Sequence, residues 1–162
     1  MNARNFPAFV AAVLAASACG SSYSSATVQS TTYVAALSGA NERPNPTTST
    51  GMGTATYTLT GKSLSYVITL TSALTGPATF SHIHGPAAAS ASAGVIVPFT
   101  INNVAIGALA QGTIDLNVPI TVGSSTVTGD SLIVLLNAGL AYTNVHTAAF
   151  GAGEIRGQIL KQ

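Results

Sequence analysis

Thr54-Ala55-Thr56-Tyr57-Thr58-Leu59-Thr60-Gly61-Lys62-Ser63-Leu64-Ser65-Tyr66-Val67-Ile68-Thr69-Leu70 decides the fold. Its first half alternates, with Ala55, Tyr57 and Leu59 to one side and Thr56 and Thr58 to the other, the period of two that a strand requires. Its second half, Leu64 to Leu70, is rich in aromatic and β-branched residues, and Gly61-Lys62 between them supplies a tight turn. The stretch reads as an antiparallel hairpin. Outward from it, Thr79–His84 is a further strand ended by Gly85-Pro86, and Val95–Ile101, Gly107–Val118, Leu140–Thr147 and Gly153–Leu160 are others. Pro98 and Pro119 suit strand ends or edges, because proline cannot donate to a ladder. Asp130 to Gly139 breaks the pattern. Asp130 as N-cap and Gly139 as the residue after the C-cap predict one or two helical turns, with a buried strand as the alternative. Seven to nine short strands and at most one short helix predict an all-β fold, an antiparallel Greek-key sandwich or flattened barrel. No internal repeat is visible.

The 162 residues suit one domain, and 47% hydrophobic residues supply a core. Only 6% are charged, far below the ~25% of an ordinary soluble domain. Ser, Thr and Asn do the solvating instead, a pattern of exported proteins. Without Arg4, four basic residues balance four acidic ones. No basic stripe exists, which excludes nucleic acid as a partner. There is no serine-histidine-acid spacing, no glycine-rich phosphate loop and no pair of catalytic carboxylates.

Arg4 followed by the short apolar run Phe6–Ala18 reads as an export signal, too short to span a bilayer. Ala16-Ser17-Ala18-Cys19-Gly20 then resembles a bacterial lipoprotein signal, in which the cysteine becomes the lipidated first residue, although Ala16 stands where leucine is usual. The alternative is plain cleavage near Ala18. The expected organisation is a signal peptide over 1–18, a flexible Ser/Gly-rich tether over 19–30 and a β-domain over 31–162. Cys19 is the one cysteine, so the domain has no internal disulfide, and the membrane is a partner only through a lipid at Cys19.

Three histidines are all the chain has: His82, His84 and His146. In a strand His82 and His84 share a face roughly 6.6 Å apart, two rises of ~3.3 Å. Tyr142, Asn144 and His146 share a face of the next-to-last strand. Pairing that strand with the last one sets His146 opposite or nearly opposite Glu154 and Asn144 opposite Arg156, gathering the polar residues on one side. Tyr142 and Tyr66 read as packing residues. The bland alternative is three hydrogen-bonded structural histidines and a Glu154–Arg156 surface pair worth little. If a metal binds, three imidazoles suit copper or zinc and leave an open position. The lack of a nearby thiolate disfavours blue copper, and the scattered carboxylates disfavour calcium.

Leu37-Ser38-Gly39-Ala40-Asn41-Glu42-Arg43-Pro44, Ala78-Thr79-Phe80-Ser81-His82-Ile83-His84-Gly85-Pro86-Ala87, Tyr142-Thr143-Asn144-Val145-His146-Thr147 and Gly153-Glu154-Ile155-Arg156-Gly157-Gln158-Ile159 closely resemble the CHRD domain, named after chordin and widespread in bacterial secreted proteins. The likeness runs in order over about residues 33–160, departing at Arg43 and at Gly151-Ala152-Gly153. It implies an extracellular domain of poorly defined activity. Locally, Phe80–His84 and Asn144–Arg156 also resemble copper-zinc superoxide dismutases. That likeness implies His82, His84 and His146 as copper ligands and Arg156 near the open metal face as the catalytic side chain, and strand parity adds Glu154, Asn144 and Tyr142 around them. The bridging histidine, the zinc ligands and the disulfide of those enzymes are missing, so a bimetallic dismutase is excluded. The expectation is one copper ion, used in copper handling or superoxide and redox chemistry. A zinc-stabilised domain, or a metal-free interaction or adhesion module, are the alternatives, and the protein partner is left unspecified.

The leader carries its own test. Cys19→Ser is expected to release the protein from membranes or to block its processing. Fractionation in which wild type and Cys19→Ser are exported equally in soluble form sinks the anchor.

Overall fold

A computed structural model describes residues 28–162, so the leader, Cys19 and most of the tether lie outside the described residues. The strands are β1 (Ser30–Ser38), β2 (Met52–Thr60), β3 (Ser63–Ser72), β4 (Ala78–His84), β5 (Val95–Pro98), β6 (Gly107–Asp115), β7 (Ile120–Val122), β8 (Ser125–Val127), β9 (Tyr142–Thr147), β10 (Ile155–Gln158) and β11 (Leu160–Lys161), and the single helix α1 spans Gly129–Asn137. Nine strands form one sheet in the order β5-β4-β9-β10-β1-β2-β3-β6, with β11 also pairing β1, while β7 and β8 form a separate hairpin. Every pairing is antiparallel. The sheet curls into a half-barrel, so the all-β, barrel-like expectation holds.

Alternation explains the curl. Tyr33, Ala35 and Leu37 of β1, Tyr57 of β2, Leu64 and Ile68 of β3, Val145 of β9 and Ile155 of β10 are fully or almost fully buried on the inner face. Leu132 and Leu136, four apart on α1, meet the same cluster. Inside the curl, the Tyr57 hydroxyl and Thr143 Oγ1 lie 2.7 Å apart and join β2 to β9, strands that are not neighbours. Outer-face residues of β4, β9 and β10 carry the histidines, Tyr142, Asn144 and Arg156.

The Gly61-Lys62 turn stands as expected, with Thr60 facing Ser63 and Gly61 at φ +59°. The count of seven to nine strands was low: eleven are present among the described residues. The extra ones include β1, whose Tyr33/Ala35/Leu37 alternation is muted by small residues, and the β7–β8 hairpin around Gly123-Ser124. Ser30, assigned to the tether, is already in β1 opposite Thr60. Two strands stop early, Val95–Ile101 at Pro98 and Gly107–Val118 at Asp115, whose carboxylate accepts from the Asn117 backbone N–H at 2.9 Å and turns the chain.

The helix is real, but its N-cap is Thr128, not Asp130. Thr128 has extended dihedrals, and its Oγ1 accepts from Ser131 N at 3.2 Å. Gly129 then passes so close to Leu116 that an added Cβ would lie 2.0 Å from the Leu116 carbonyl oxygen. Asp130 sits instead in the first turn, where a negative charge favours the helix dipole, and pairs with Lys62. Gly139, at φ +63°, ends the helix as expected.

Gly157 tests the packing of β10 on β1. A Cβ there would meet the Ala36 carbonyl oxygen at 2.4 Å and its carbon at 2.8 Å, both backbone atoms. Gly157→Ala is therefore expected to destabilise the domain by ~1–3 kcal/mol, the usual cost of overpacking. An unchanged urea midpoint would show that the two strands separate freely.

Candidate metal centre

β4 and β9 are neighbours, with His82 opposite Asn144, His84 opposite Tyr142 and Phe80 opposite His146. Strand parity puts all six on one face. The diagonal then brings the three imidazoles together, and one ring nitrogen from each lies within 4.8 Å of the others. His82 Nδ1 and His146 Nε2 are 3.2 Å apart. Two ligands of one tetrahedral metal, at bonds of ~2.0–2.1 Å, stand about 3.3 Å apart.

The backbone decides which nitrogens are free. His84 Nδ1 lies 3.0 Å from Ala93 O and His146 Nδ1 lies 3.0 Å from Gly151 O. A carbonyl only accepts, so both Nδ1 atoms carry the hydrogen and both Nε2 atoms present lone pairs. Anchoring a ligand's other ring nitrogen in this way is how metal sites fix tautomer and ring plane. His84 Nε2 is buried and has no hydrogen-bond partner. Leaving such an atom unsatisfied costs about 1–3 kcal/mol. The donor set thus fits a metal ion.

Burial also keeps the rings neutral. The His82 pKa is lowered to about 4, first by desolvation, then by repulsion from His146 and His84. His84 and His146 are lowered too, again first by desolvation, which outweighs the carbonyls of Ala93 and Gly151. Phe80, 62% exposed, stacks on the outer side of His82 with ring centres 5.9 Å apart.

The residues expected around the histidines separate into two groups. Tyr142 does support the site: its ring lies 4.8 Å from that of His84 at only 6° between planes. Arg156 supports it at one remove. It does not stand at an open metal face but is 2% exposed, with its guanidinium carbon 3.5 Å from the Tyr142 ring centre and Nη2 donating to Ala91 O at 2.7 Å. The cause is strand order, since β9 stands between β10 and the histidines of β4. Glu154 leaves the cluster altogether. It lies in a bend before β10, after Gly153 at φ +135°, and its carboxylate accepts from Ser49, Thr75 and Thr147 instead. It forms no surface pair with Arg156, and both are buried. Asn144 faces away toward Glu42, donating Nδ2 to both carboxylate oxygens at 2.8 and 3.1 Å.

Two features were not anticipated. Glu42 is 4% exposed, and desolvation raises its pKa to about 7 against the pull of Arg156 and Asn144. A charged residue in so uncharged a chain was the available signal. The other is a strap, residues 86–94, laid over the outer face. Its carbonyls accept from Gln158 (Ala87), Arg156 (Ala88 and Ala91), and His84 and Tyr142 (Ala93). Backbone acceptors leave no mark in a sequence.

An all-β domain with a buried, neutral three-histidine cluster is the class that fold and site define. The chain belongs to the CHRD domain family, whose model matches residues 33–159. Comparison with curated proteins and with solved structures finds no match in either.

The depressed histidines set a pH dependence for the metal-free protein. Between pH ~6.5 and ~4 the unfolded chain binds more protons than the folded one, so stability present above pH 6.5 is lost as pH falls. Glu42 acts in the opposite sense, costing stability as pH rises from about 4.5 to about 7. Three histidines outweigh one carboxyl, so the unfolding midpoint should fall on acidification from 6.5 to 4, and His82→Gln should flatten that fall. A flat wild-type profile over this range would contradict the burial.

Proposed function

We propose that this domain binds one metal ion through His82, His84 and His146, that the ion is copper, and that the protein serves copper handling or one-electron chemistry outside the cytoplasm. The observation that carries the proposal is the buried, partnerless Nε2 of His84 beside two further neutral imidazoles. A purely structural histidine would have its second nitrogen satisfied. Three imidazoles suit copper or zinc, and copper is taken here on the local likeness of Phe80–His84 and Asn144–Arg156 to the copper strands of copper-zinc superoxide dismutases. Three protein ligands leave a position for an exogenous group, as in reactive rather than structural sites. Copper held there supplies a one-electron couple.

The chain's own residues supply position and exclusion of water. Ala93 O and Gly151 O fix two ring planes, Tyr142 backs His84, and Phe80 covers His82. Arg156 is no anion-steering residue in this proposal, because its guanidinium is buried and held by the strap. Export and attachment through Cys19 complete the proposal, resting on the leader residues.

Titration of the full chain, made without a histidine tag, tests it. Wild type is expected to take up one equivalent of Cu(II) with a nitrogen-ligated EPR spectrum. His82→Ala, His84→Ala and His146→Ala should each weaken binding by at least about a hundredfold, since even the outer partners of ligands are worth 10–100-fold. Three variants that bind like wild type would end the shared site. Zinc in the purified protein, with no copper uptake in competition, would replace copper by a zinc-stabilised fold.

A further inference from the structure

On the far side of Tyr142 from His84, the outer face of β1 and β10 forms a cavity of about 350 Å³. Arg43 and Arg156 both line it, and Val34, Ala36 and Leu160 give it an apolar wall. Two of the four basic residues of the described chain thus face one small space.

Arg156 is the anomaly. A charge so buried is ordinarily paired. Among the described residues the only ion pair is Lys62–Asp130, so no carboxylate lies within 4.0 Å of the Arg156 guanidinium. Its partners are the Tyr142 ring and two strap carbonyls, which accept hydrogen bonds but carry no net charge. Glu42 is the acid nearest in effect, yet its oxygens are taken by Asn144, and its raised pKa leaves it partly protonated at neutral pH. Arg43 adds a second positive charge and has only Nη1 engaged, with Ala40 O and Glu42 O. A guanidinium has five N–H donors in a planar fork that matches a carboxylate.

We propose that this cavity binds a short-chain aliphatic carboxylate, its anionic head between Arg43 and Arg156 and its chain against Val34, Ala36 and Leu160. The anion would offset the unpaired buried charge, and the apolar wall selects a ligand with a hydrocarbon body over a bare inorganic anion. The site is separate from the histidine cluster and does not depend on metal binding.

Calorimetric titration of the EDTA-treated full chain with butyrate, butyramide and inorganic phosphate decides the matter. Butyrate should bind, butyramide should not, and phosphate should bind at least tenfold more weakly than butyrate. Arg43→Gln should weaken butyrate about tenfold or more, as loss of one charge-assisted contact implies, and Arg43→Lys, which keeps the charge but loses the planar fork, should fall between Arg43→Gln and wild type. Equal response to butyrate and butyramide, phosphate binding as tightly as butyrate, or Arg43→Gln titrating like wild type would overturn the carboxylate site.

Discussion

Desolvation of the outer face of β4, β9 and β10 is the constraint on which the site depends. His84, Tyr142 and Arg156 are all under a tenth exposed, although they point away from the hydrophobic core. The strap over residues 86–94 is what covers them. Between Pro86 and Gly94 its side chains are alanines and serines, so its backbone lies close to the sheet, and a polar group beneath it must find a partner there. Four carbonyls provide those partners. One of them, Ala93 O, meets both His84 Nδ1 and the Tyr142 hydroxyl. Removing water thereby fixes tautomer, ring plane and protonation state together. For His84 neutrality and orientation have a single origin, while His146 is held by Gly151 O, outside the strap.

That origin also explains how the charges are arranged. No carboxylate reaches the histidines: Glu154 is held by the hydroxyls of Ser49, Thr75 and Thr147, and Glu42 by Asn144. A cation entering the cluster would find neutral ligands and no compensating anion, with Arg156 behind Tyr142 repelling it further.

Much of this was legible from period-two patterning. The Thr54–Leu70 hairpin, the shared face of His82 and His84, and the pairing of Asn144 with Arg156 all follow from alternation and one glycine turn. What escaped was set elsewhere. Thr128 displaced Asp130 as the helix cap because the helix begins at Gly129, which puts the Thr128 hydroxyl in reach of the Ser131 N–H. Glu154 left the histidine face because β10 begins only at Ile155, and Ser49, Thr75 and Thr147 hold the carboxylate of the bend residue before it. Arg156 was put on the correct face but at the wrong depth, since the strap that buries it reads as a featureless run of small residues. Glu42 lay in a conspicuous motif, but its partner is 102 positions away.

The strap has a genetic consequence. Its contribution is made by carbonyl oxygens, which every amino acid possesses, and most of its side chains face solvent. Single-letter changes along it can accumulate with little effect on the histidines. A one-residue insertion or deletion is another matter, because it would shift Ala93 O off His84 and Ala91 O off Arg156 in the same event. This segment is protected by its length, not its spelling, and a tally of substitutions alone would mistake it for an expendable linker.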